Sequence, residues 1–127
     1  MKKNFLLLAT MLLLFACKPD VLSLNDDGKT LRTNVGKSFQ LSLPENATTG
    51  YRWHFKTEPE SQMVITFVSD ETVRPQTKRL GAGSNRIFTY QATNSGVVKL
   101  KGFHSRPWEN SENQQIPAVE YTIIVRP

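Results

Sequence analysis

Residues 38–55 read SFQLSLPENATTGYRWHF. Phe39, Leu41 and Leu43 occupy alternate positions, and so do Tyr51, Trp53 and Phe55. Arg52 and His54 fall on the opposite face of the second run. A period of two marks a half-buried strand, so the stretch predicts two strands, with Trp53 facing the core beside Tyr51 and Phe55. Between them, Pro44 to Gly50 carries an Asn and two Thr whose side chains can bond their own backbone, and a Gly that tolerates positive φ. That composition predicts a tight, self-bonded turn.

Working outward, strand-like runs recur. Val64–Val68 (VITFV) is apolar and β-branched, and Arg86–Ala92 alternates imperfectly around Ile87 and Phe88. Val97–Phe103 sets Val98, Leu100 and Gly102 against Lys99 and Lys101, and Val119–Val125 (VEYTIIV) follows. A short first strand is expected at Val21–Leu24. Past residue 16, no ten-residue stretch has a helical period. Six or seven short strands separated by turn signals predict an all-β sandwich. Pro44, Pro59, Pro75, Pro107 and Pro117 are expected at or outside strand ends, where a missing N–H breaks no ladder.

The chain has 127 residues, 39% hydrophobic and 21% charged, which fits one globular domain and argues against disorder. One Cys excludes an intrachain disulfide and any zinc site built from several cysteines, and two His are too few for a metal cage.

Residues 1–16 (MKKNFLLLATMLLLFA) have a positive start at Lys2 and Lys3 and a short apolar run, Phe5 to Ala16. A membrane-spanning helix needs about 20 apolar residues; the layout is that of a secretory signal peptide. Leu14-Phe15-Ala16-Cys17 resembles a bacterial lipobox. The resemblance implies removal of 1–16, a palmitate-bearing lipid anchor on Cys17, a lipidated tether over 17–28 and a folded domain over 29–127. Multiple acyl chains hold a protein stably on a membrane. The expected location is the cell envelope, at the outer membrane or periplasmic face of a Gram-negative cell. With Lys2 and Lys3 gone from the 16 basic side chains, 11 acidic ones leave a balance of only +3. No basic stripe with interleaved aromatics invites nucleic acid.

Catalytic patterns are missing. The sequence holds no GxSxG, no HExxH and no phosphate-cradling glycine loop. His54 lies on the polar face of its strand, His104 leads a loop, and Glu109 with Glu112 reads as a solvated pair. No enzyme, cofactor or metal is expected.

Three connections stand out instead: Asn46-Ala47-Thr48-Thr49-Gly50-Tyr51, Gly81-Ala82-Gly83-Ser84 and Arg106-Pro107-Trp108. The first is a tight turn and the second nearly bare backbone. The third is a Trp on a proline-stiffened loop, and Trp and Arg are enriched at interface hot spots. In this order the three resemble the loops of the chagasin family of cysteine-peptidase inhibitors, over roughly residues 34–125. Ala47 stands where the family has Pro, and Ser84 where it has the last Gly of the second loop.

The resemblance implies an immunoglobulin-like β-sandwich of about six to eight strands and a monomeric, reversible inhibitor of papain-like cysteine peptidases. It places the first loop over the catalytic cysteine of the target, with Thr48 nearest. Gly81–Ser84 would lie along the non-primed side, Trp108 on the primed-side wall, and Arg106 would support its loop or touch the rim. The sequon Asn46-Ala47-Thr48 is expected to stay bare. The competing expectation is a non-inhibitory immunoglobulin-like envelope lipoprotein that binds another protein. A Trp108 buried against the sheet would favour the latter.

Overall fold

The structure, a computed structural model, describes residues 19–74, 83–108 and 116–127. The expected signal segment, Cys17, Gly81, Ala82 and the pair Glu109 and Glu112 lie outside the described residues.

Eight strands are found among the described residues: β1 (Asp20–Leu22), β2 (Thr30–Asn34), β3 (Ser38–Glu45), β4 (Arg52–Lys56), β5 (Ile65–Val73), β6 (Ser84–Ala92), β7 (Gly96–Ser105) and β8 (Val119–Arg126). They form two four-stranded sheets, ordered β1-β3-β6-β5 and β2-β8-β7-β4. The first strand of each sheet pairs in parallel, β1 with β3 and β2 with β8; the other pairs are antiparallel. The arrangement is the expected immunoglobulin-like sandwich.

The alternating residues meet between the sheets. Phe39, Leu41 and Leu43 of β3 and Tyr121 and Ile123 of β8 have no exposed surface, and Val98 and Leu100 of β7 pack among them. Trp53 joins this core as expected, with Phe55 half-buried beside it. Gly102 faces Phe55 across the β4–β7 pair. A Cβ on Gly102 would lie 2.6 Å from Val119 Cγ2 and 2.7 Å from Phe55 Cε1. Gly102→Ala should therefore overpack the core by about 1–3 kcal/mol. In a thermal melt that lowers Tm by roughly 5–15 °C; an unchanged Tm would contradict this packing.

Several expectations need correction, among them His104, which was expected to lead a loop and lies within β7. Residues expected to form a tether are packed into the sandwich from Asp20 on. Leu22 is buried, the first strand ends there rather than at Leu24, and Leu24–Asp26 form a 3-10 turn. Tyr121 Oη donates to Ser23 O at 2.7 Å, and the Glu120 N–H donates to Asp27 Oδ1 at 2.8 Å, which fastens this stretch to β8. β2 was not expected. Its inward residues are Leu31 and a buried Thr33, so hydrophobicity alone carries no period there. β5 runs on to Val73 instead of stopping at Val68. Past a register shift between Phe67 and Ser69, residues Ser69 to Thr72 are polar on both faces, as an outer strand allows. Pro44 lies inside β3, not at its end. β1 pairs only as far as Leu41, so at Pro44 one side of β3 has no strand partner and the missing N–H breaks no ladder there.

The registers place the loops. Glu45 is opposite Ser84, Val73 opposite Asn85, and Arg52 opposite Ser105. The end of β3, the start of β4, the β5–β6 connection and the end of β7 therefore share one end of the sandwich.

Candidate functional site

The first loop, between β3 and β4, crosses from one sheet to the other. Asn46 organises it. Its Oδ1 accepts the Thr48 N–H at 3.0 Å and the Thr48 hydroxyl at 2.6 Å. Its carbonyl accepts the Thr49 N–H at 3.2 Å and the Thr49 hydroxyl at 2.8 Å. Ala47–Thr49 thereby close into a 3-10 turn without a proline, and both threonines are exposed. Gly50 leaves the turn at φ 80°, a conformation that strains any residue with a Cβ.

The third loop leans on the first. Arg106 Nε donates to Thr49 O at 3.0 Å. Its guanidinium lies 4.3 Å from the Tyr51 ring centroid and 5.8 Å from that of Trp108. Trp108 itself is 70% exposed. Its ring lies over Gly50: a Cβ there would overlap Cη2 and sit 3.1 Å and 3.2 Å from Cζ3 and Cζ2. Bare glycine backbone thus forms the seat of the tryptophan. Thr48, Thr49, Gly50, Arg52, Arg106, Pro107 and Trp108 line one concave face.

Of the second loop, Gly83 and Ser84 are described. The Ser84 hydroxyl donates to Glu45 O at 3.0 Å, so Ser84 is half-buried and turned toward the root of the first loop. Residues 46–51, 83–84 and 106–108 are accordingly gathered at one end.

Sequence reasoning missed the supports beneath these loops. Glu45, only 6% exposed, accepts the Trp53 N–H with Oε2 at 3.3 Å and Arg86 Nη1 with Oε1 at 3.4 Å. Trp53 Nε1 donates to Pro44 O at 2.8 Å. His104 stacks on Trp53, centroids 4.5 Å apart, and lies 5.1 Å from Tyr51. Although His104 stays exposed, partial desolvation lowers its pKa from 6.5, opposed by the Glu45 carboxylate. An aromatic ladder of Tyr51, Trp53 and His104 therefore underlies the Arg106 loop. Its signal in the sequence was half visible, in the alternation of Tyr51 and Trp53.

The chemistry on offer is that of a surface. The Thr48 hydroxyl is bonded to an amide oxygen, with no base behind it. Among the described residues, no group of three His, Cys, Asp or Glu is placed to hold a metal. What the site presents is preformed backbone, two exposed threonines and an indole.

Comparison with known proteins points the same way. The sequence profile of the family described as Chagasin family peptidase inhibitor I42 matches residues 32–125. Chagasin of Trypanosoma cruzi is 33% identical over 86 residues, which cover 65% of this chain and 76% of that protein. The crystal structure of the cysteine protease inhibitor EhICP2 from Entamoeba histolytica superposes with a TM-score of 0.71 at 22% identity, covering 84% of this chain and 95% of that one. PbICP-C, solved in complex with falcipain-2, superposes with a TM-score of 0.54 at 18% identity, covering 84% and 95%. These two structures bear on the fold.

Proposed function

Because the chain belongs to the chagasin family of peptidase inhibitors, we propose that it reversibly inhibits papain-like cysteine peptidases by filling their active-site cleft with its clustered loops. One observation carries the reading: Trp108 is held out into solvent on a seat built from the first loop. An exposed, oriented indole beside a rigid turn is a binding surface awaiting a partner. The same exposure speaks against the alternative in which Trp108 closes the sandwich edge.

In this reading the turn at Thr48 covers the catalytic cysteine of the target. It blocks the nucleophile with a self-bonded 3-10 turn instead of an extended, cleavable peptide. Trp108 packs on the apolar primed-side wall, and Arg106 holds its loop to Thr49 while facing the rim. Gly81 to Ser84 lie along the non-primed side. A lipid anchor on Cys17 keeps this monomeric inhibitor at the cell envelope. The finding that PbICP-C was solved with falcipain-2 supports a peptidase partner.

The test is a titration of papain with the soluble chain beginning at Lys18. Competitive inhibition at sub-micromolar concentration is expected. A folded sample inert toward both papain and a cathepsin L-like enzyme would overturn the proposal.

A further inference from the structure

Four strands carry the first two loops, and one line of hydrogen-bonded groups crosses all four: three charged side chains and one backbone N–H. Asp70 on β5 accepts Arg86 Nε at 3.0 Å and also Arg86 Nη2. Arg86 on β6 reaches Glu45 at the end of β3, and Glu45 accepts the Trp53 N–H of β4. The last bond passes from one sheet to the other. The backbone of Glu45 also holds the second loop, through the Ser84 hydroxyl. Glu45, at the entry of the first loop, thus bonds to that loop's far side at Trp53 and to the exit of the second loop at Ser84.

Such a residue is poorly explained by stability alone. A buried ion pair seldom outperforms apolar packing, because desolvation of both charges offsets their attraction. What it supplies is direction. Apolar contact between the sheets is non-directional and holds no particular pair of loop ends together, and at this end the core thins out to the exposed His104. β4 is an outer strand, so its outward-facing N–H at Trp53 needs an acceptor from outside its own sheet.

We propose that Glu45 is a positioning residue for inhibition: its carboxylate and carbonyl fix the distance between the first and second loops, and so the width of the surface that enters the peptidase cleft. This rests on the inhibitor reading above. A surface held at the right spacing before contact loses less ordering free energy on binding.

The experiment compares Glu45→Ala with Glu45→Gln, which keeps one acceptor for the Trp53 N–H. Two quantities are read: the inhibition constant for papain, and amide hydrogen exchange in the free protein. Glu45→Ala should weaken inhibition roughly tenfold or more, and Glu45→Gln should recover most of that loss. In the Ala variant, exchange should quicken at Trp53, Thr48 and Thr49 while Leu100 and Ile123 keep their protection. A purely structural role would loosen the core amides along with the loop. Inhibition by Glu45→Ala equal to that of the parent overturns the proposal. If the parent inhibits nothing, the inhibitor reading fails first, and unchanged loop exchange in Glu45→Ala then overturns this one separately. Should Glu45→Ala not fold, Glu45→Asp replaces it; that variant keeps the charge but draws it back from Trp53, and parent-like inhibition and exchange would again contradict the proposal.

Discussion

Trp108→Ala should weaken inhibition of papain by roughly thirtyfold to several-hundredfold, the equivalent of about 2–4 kcal/mol for a hot-spot aromatic. Tm should move by no more than about 3 °C, because truncating an exposed side chain changes stability by only about 0.5 kcal/mol. Trp108 is 70% exposed in the free protein, so much of its surface remains to be buried against a partner. Burying a Trp removes about 150–250 Å² from water, worth roughly 4–6 kcal/mol at about 25 cal/mol per Å². Association opposes this with about 4–15 kcal/mol of lost freedom. A single indole therefore cannot give tight inhibition, and the other loops must share the work. Inhibition constants and melts for parent and variant check the claim. An equal constant would remove Trp108 from the binding surface.

Gly50→Ala should weaken inhibition about tenfold or more, and it should act largely through Trp108. The φ of 80° places residue 50 in the left-handed region, at a penalty of about 1–2 kcal/mol for a residue with a Cβ. The new methyl would also overlap the indole and push it off its seat. A double-mutant cycle separates these effects. In the Trp108→Ala background the clash is gone, so adding Gly50→Ala should cost less inhibition than it does in the parent. Strictly additive losses would mean that the seat does not orient the indole.

Much of this was legible in the sequence, for local reasons. Alternation at Phe39, Leu41 and Leu43, and at Val119, Tyr121, Ile123 and Val125, marks strands because those residues are apolar on one face and buried there. The turn at Asn46 was legible because its bonds run only two and three residues along the chain. Thr33 hid β2, since a buried threonine gives no hydrophobic signal. Asp70 hid the second half of β5, because it is paired to an arginine sixteen residues away. The supports of the site were the least visible part. Glu45 and Arg86 are 41 residues apart, and Arg106 and Thr49 are 57 apart. Only the strand registers bring them together, and no spacing rule in one dimension encodes that. Ser84 shows the same limit: as a departure from the family pattern it reads as a loss of glycine, whereas its hydroxyl forms a bond to Glu45 that glycine cannot make.

The central claim is that the loops occupy the cleft over the catalytic cysteine of the target without being cut. Alkylation of papain's catalytic cysteine by iodoacetamide, followed at increasing concentrations of the soluble chain, tests it most directly. The account predicts that alkylation slows in proportion to inhibition and that the chain is recovered intact. Unaltered alkylation at a concentration that abolishes peptide hydrolysis, or recovery of a chain cleaved within residues 46–51, would contradict it.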